Sequence, residues 1–107
     1  MTDLTKESII SLLERNDRAV ERAILVIFRN QTFDEQQASD VKYRNGRGFN
    51  AQDAKFGSVA AKYLQREGHM EDWQIRYWRK RDIRGVMKIG KYWKQLIEAA
   101  KEKQNVA

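Results

Sequence analysis

Apolar residues recur at helical spacing along most of this chain, and a different pattern surfaces only around residues 41–50. In TKESIISLLERN, Ile9, Leu12 and Leu13 fall at i, i+3 and i+4 with acidic residues around them, which predicts an amphipathic helix ending near Asn16. DRAVERAILVIFRNQ follows, with Asp17 placed to cap it and Val20, Ile24 and Ile27 on one face. Ala23, Leu25, Val26 and Phe28 make this second helix apolar almost all round, so it is the expected central helix. A strand through AILVIF competes with that reading, but the residues before it keep helical spacing.

TFDE, residues 32–35, has capping-box spacing and predicts a short third helix. Val41 and Tyr43 then alternate before Asn45-Gly46, a hairpin-turn dipeptide, so 41–50 is expected as a short hairpin or an irregular loop. Asn50 is an apt N-cap for the next helix, with Asp53 at its third position and Phe56, Ala60, Tyr63 and Leu64 on its buried face; Gly68 stops it. MEDWQIRYWRKRD predicts another helix. RGVMKIGKYWKQLIEAAKEKQ predicts the last, continuous from residue 84, with Val86, Ile89, Trp93, Leu96, Ile97 and Ala100 facing inward and the tail from about 102 to 107 frayed. The expected fold is a single all-α domain, residues 1–107, a small bundle of about five or six helices.

Composition supports this. Proline is absent, which removes the strongest helix breaker. Cysteine is absent too, excluding disulfides, thiol nucleophiles and cysteine-ligated metals. The opening residues do not read as a secretory signal, and the longest apolar run, AILVIF, is far short of the ~20 residues that cross a bilayer. A cytoplasmic protein with no membrane association is expected.

Charge adds direction. The net charge of +6 lies wholly in the second half, because the first fifty residues carry eight basic and eight acidic residues. Residues 76–94 hold eight basic residues against Asp82 alone, a local +7. A polyanionic partner is the natural inference. On a continuous last helix, Arg84, Lys88 and Lys91 would form a stripe opposite the core face, joined by Arg76, Arg79, Lys80 and Arg81 of the preceding helix. Trp73, Tyr77 and Trp78 lie among these arginines and could stack on unpaired bases, unless they are core anchors. The leading expectation is a non-enzymatic accessory protein that binds DNA or RNA, single strands included, through Arg76, Trp78, Arg79, Lys80, Arg81, Arg84, Lys88 and Lys91. The competing reading is a modulator or inhibitor of a host or replication protein, which would need an exposed apolar patch instead. Oligomeric state is open.

NGRGFNAQDAKFG, residues 45–57, suggests a phosphate cradle in which backbone amides and Arg47 meet an anion at a helix N-terminus. It lacks P-loop and dinucleotide-fingerprint spacing, and Asp53 would compete with the anion, so turn and cap are the favoured roles. Catalytic constellations are weak. His69 is the lone histidine, in a turn; Asp34, Glu35, Asp40 and Asp53 are scattered as metal ligands; the serines have no triad partners. No enzyme, metal or cofactor is expected.

Gly46, Gly48, Phe49, Asn50, Asp53, Ala54, Phe56, Gly57 and Ser58, followed by Lys91, Tyr92, Gln95 and Leu96, resemble a pattern in a group of small bacteriophage and mobile-element proteins. The group carries no assigned activity. The resemblance, from Asn45 to Leu96, implies a setting among phage or plasmid genes and no catalytic chemistry.

Overall fold

The computed structural model describes residues 4–30 and 48–106, the last five by backbone alone. Five α-helices and one short 3-10 helix make up the described chain: α1 (Lys6–Arg15), α2 (Asp17–Arg29), α3 (Ala54–Glu67), α4 (Asp72–Arg79), the 3-10 helix (Gly90–Tyr92) and α5 (Trp93–Val106). The protein is all-α, and the described residues contain one isolated backbone bridge, between Arg81 and Met87. The expected third helix opening at 32–35, the expected hairpin or irregular loop of 41–50 as far as residue 47, and Arg47 itself lie outside the described residues, and 48–50 are irregular.

α1 begins at a capping box in which Thr5 and Ser8 exchange side-chain and backbone hydrogen bonds. It buries Ile9 and Leu13 and leaves Leu12 at the edge. Asn16 ends α1 and starts α2: its amide donates to the Leu12 carbonyl and its side chain accepts from the Ala19 amide. The N-cap is therefore Asn16 rather than Asp17, which sits in the first turn of α2.

α2 is central, packing on α1, α3, α4 and α5. Val20, Ile24 and Ile27 have no exposed surface, and Ala23 and Phe28 are buried beside them. Glu21 is buried with them. Its carboxylate accepts the Met70 amide at 2.8 Å, which pins the turn leaving α3 to the central helix. Gly68, at φ 82°, ends α3 in the left-handed conformation that glycine adopts without a Cβ penalty.

α3 meets the core through small residues: Ala54, Gly57, Ser58, Ala60 and Ala61, with Leu64 beyond them. This corrects the expected face. Phe56 points outward, 58% exposed, because Phe49 of the preceding loop fills the space beside α3. A Cβ on Gly57 would come within 2.5 Å of the Phe49 ring, so glycine lets the loop lie against the helix.

The chain from 80 to 89 is not helical, which corrects the expected continuous helix from residue 84. α4 stops at Arg79, and a braced turn follows. The Asp82 carboxylate accepts the Arg84 and Val86 amides at 2.8 and 3.0 Å, and Gly85 takes φ 80°. The Lys88 and Ile89 amides then return to the carbonyls of Lys80 and Trp78. Val86 is consequently exposed, while Met87 and Ile89 enter the core. α5 buries Leu96, half-buries Trp93 and Ile97, and runs helical backbone into the tail for which fraying is expected.

Candidate functional site

Two regions carry the residues singled out by sequence. The first is the described end of the glycine-rich segment, and it docks on the start of α5. Gln95 grips Gly48 with both ends of its amide: Oε1 accepts the Gly48 amide at 2.9 Å and Nε2 donates to the Gly48 carbonyl at 3.1 Å. Asn30, capping α2, donates to the same Oε1 at 2.9 Å. Phe49 is buried between Trp78 and Tyr92, with ring centroids 5.6 and 5.7 Å away.

The Asn50 side chain accepts the Asp53 amide at 2.9 Å, the bond an N-cap makes to its third residue, although regular helix begins only at Ala54. The Asn50 amide donates to the Tyr92 hydroxyl, which donates in turn to the Asp53 carboxylate at 2.7 Å. Asp53 is 1% exposed, and Lys91 reaches it at 2.8 Å with Lys88 at 3.8 Å. Burial, reinforced by the Asp53 carboxylate, holds the Tyr92 hydroxyl protonated far above the ordinary phenol range, against the opposing pull of the Asn50 amide.

These contacts decide the role of residues 48–57. The amides of Gly48, Asn50 and Asp53 already have partners, and a buried carboxylate occupies the position an incoming anion would approach. This stretch turns the chain and locks it to α5, while Arg47, the cation of the expected cradle, lies outside the described residues. Asp53 was legible as a charge near a helix start, but its partners in the 3-10 helix, Lys91 and Tyr92, were not. The segment from Gly48 to Asp53 and the segment from Lys91 to Gln95 meet in this lock, since Gly48, Asn50 and Asp53 bond Gln95, Tyr92 and Lys91 directly.

The second region is the basic segment, and the structure divides it. Trp78 is 1% exposed, a core anchor, so it cannot stack on a base. Arg79 donates to the Leu13 carbonyl at 2.7 Å and pairs with Asp17 at 2.8 Å, tying α4 to the α1–α2 junction. Arg81 pairs with Glu14 and donates to the Gly85 carbonyl, bracing the turn. Lys88 and Lys91 face Asp53. Glu14, Asp17 and Asp53, all from other elements, thus reduce the local +7 to +4.

Arg76 on the outer side of α4, Lys80 just beyond its end and Arg84 in the turn are exposed. Lys88 bridges the two regions, its ammonium 5.0 Å from the centre of the Tyr77 ring. The turn itself is electrostatically firm: backbone donors at Val86 and Arg84 hold the Asp82 carboxyl below the usual carboxylate range. His69 is exposed in the turn after α3, 3.4 Å from Glu71. Among the described residues no cluster of histidine or carboxylate side chains has metal-site geometry, and no helix is long and apolar enough to cross a membrane. No protein family, curated protein or solved structure matches this chain.

Proposed function

We propose that the protein is a non-enzymatic nucleic-acid-binding accessory factor whose contact surface is the outer side of α4 and the following turn. The observation that carries this is the exposure of Arg76, Lys80 and Arg84 along α4 and the hydrogen-bonded turn that follows it, with Lys88 half-buried over the Tyr77 ring. Phosphates of a polyanion would be neutralised at these cations, with release of counterions and little reading of sequence. The phage or mobile-element setting rests on the resemblance of residues 45–96, and a cytoplasmic location is proposed with it.

Titration of labelled single- and double-stranded oligonucleotides at about 50 and 200 mM salt tests the proposal. Binding should weaken steeply with salt, and Arg76→Ala/Lys80→Ala/Arg84→Ala should lower the salt slope by about 2–3, roughly one for each phosphate no longer neutralised. Lys88 and Lys91 are poor probes, because removing either disturbs the Asp53 lock. No binding at the lower salt would refute it.

The alternative is a protein-binding modulator, and one observation favours it. Ile83, at the end of the braced turn, is fully exposed with Val86 nearby, an apolar tip that a pocket on a partner could accept. Ile83→Ser, which removes the apolar tip without adding charge beside Arg84, would weaken such a complex while leaving oligonucleotide binding unchanged.

A further inference from the structure

We infer that Trp73, Tyr77 and Phe56 form a stacking platform for unpaired bases, so that the surface prefers single-stranded over duplex nucleic acid. This rests on the nucleic-acid reading and adds the strand type and the residues that would choose it.

The platform spans two helices. On α3, Phe56 and Val59 stand at i and i+3 and are 58% and 55% exposed. On α4, Trp73 is 63% exposed, and Tyr77 lies one turn further along the same face. The seam between the helices is closed by the Phe56 and Tyr77 rings, whose centroids are 5.6 Å apart. Val59 and Phe56 on α3 and Tyr77 and Trp73 on α4 thus flank one seam, joined by the Phe56–Tyr77 ring contact. A domain this small normally needs such side chains in its core; this one fills its core with Trp78, Phe49 and Tyr92, leaves Phe56, Val59 and Trp73 outside, and sets Tyr77 half-buried at the boundary with its ring 5.3 Å from that of Trp78.

Charge identifies the occupant. Trp73, Arg76 and Tyr77 succeed one another at i, i+3 and i+4 on α4, Lys80 follows directly after the helix ends, Lys88 lies over the Tyr77 ring, and Lys55 precedes Phe56. Asp72, exposed at the start of α4, is the nearest opposing charge in sequence to Trp73. Cations set among exposed rings match a strand whose bases lie on the rings while its phosphates reach the cations. A duplex keeps its bases stacked inside, so it would cover the apolar surface with backbone and bind through its phosphates alone.

The test measures anisotropy of a labelled oligothymidine and of a duplex of equal length, with wild type, Trp73→Ala, Phe56→Ala and the Arg76/Lys80/Arg84 triple variant. Tighter binding of the single strand is expected. Trp73→Ala and Phe56→Ala should each weaken it about tenfold while leaving duplex binding and the salt slope unchanged. Trp73→Phe, which keeps a ring, should restore most of the affinity. If neither ring substitution matters but the triple variant weakens both ligands, the platform is refuted while the charged surface stands. Failure of both oligonucleotides to bind would overturn both. Sedimentation completes the test: a wild-type dimer that Trp73→Ala dissociates would assign the patch to self-association and overturn the platform.

Discussion

Tyr92 donates a 2.7 Å hydrogen bond to Asp53 across 39 residues of sequence, and both side chains are buried. A carboxylate in such a place is stable only with partners, and Lys91 supplies the opposite charge at 2.8 Å. The pair fixes where the loop meets α5. Asp53→Ala should destabilise the fold by about 3 kcal/mol, because Tyr92 and Lys91 both lose their partner. Tyr92→Phe should cost about 2 kcal/mol, the range for a hydrogen bond to a charged group. Urea denaturation of the three proteins measures both. An Asp53→Ala midpoint equal to wild type would show that the lock contributes nothing to stability.

Tyr92 also makes stability depend on alkaline pH. Its folded-state pKa is raised, first by burial and then by Asp53, while the unfolded chain releases the phenol proton near pH 10. The stabilising contribution is therefore complete below about pH 10. It is lost as pH climbs above that value, because the unfolded state ionises while the folded state stays protonated. Wild type should lose stability between about pH 10 and 11 more steeply than Tyr92→Phe, by up to about 1.4 kcal/mol per pH unit. Urea midpoints at about pH 8, 10 and 11 give the comparison, and parallel curves would contradict it.

How much of this was legible in the sequence depends on whether a contact is local. The face of α2 was readable because Val20, Ile24 and Ile27 repeat at helical period within one element. Gly68 was readable for the same reason, as a stop following its own helix. The turn after α4 was not. RGVMKIGKYW has apolar positions that fit a helix, and only the tertiary pull of Met87 and Ile89 into the core, with Arg81 and Asp82 bracing the loop, overrides that period. Gly85 and Gly90 were the available signal: one takes a left-handed φ, and the other lies where a Cβ would meet Ile10 at 2.5 Å. Phe56 was misplaced because the residue that fills its expected site, Phe49, comes from a loop whose path no periodicity describes. At the candidate surface, the excess of charge was legible, but its division into braces and exposed cations was not, since Glu14, Asp17 and Asp53 come from elsewhere in the chain.

Gly57→Ala should destabilise the protein, although helix propensity alone would make alanine better by about 1 kcal/mol. The new methyl would meet the Phe49 ring at 2.5 Å, and that ring cannot retreat past Trp78 and Tyr92. Overpacking of this kind costs about 1–3 kcal/mol, so a net loss near 1 kcal/mol is expected. Phe49→Leu in the same background should recover part of it, because a smaller side chain leaves room for the methyl. Thermal melts of the single and double variants decide the sign; a stabilised Gly57→Ala would show that the loop can move away from α3.

The two tryptophans of α4 offer the sharpest contrast between core and surface. Five residues apart on one short helix, they face nearly opposite ways: Trp78 is 1% exposed and Trp73 is 63% exposed. Trp78 touches Phe49, and the Ile89 amide hydrogen-bonds its carbonyl, so this residue supports both the loop and the braced turn. Trp78→Ala should cost about 3–5 kcal/mol, as large-to-small changes of buried aromatics do. Trp73→Ala should stay within about 0.5 kcal/mol of wild type, because little of its surface is removed from water on folding. Trp78→Ala should therefore lower nucleic-acid binding only by lowering the folded fraction, whereas Trp73→Ala should lower single-strand binding with the folded fraction unchanged. Denaturation and anisotropy on the same preparations separate the two. A Trp73→Ala protein that unfolds as readily as Trp78→Ala would place Trp73 in the core and leave the surface without its ring.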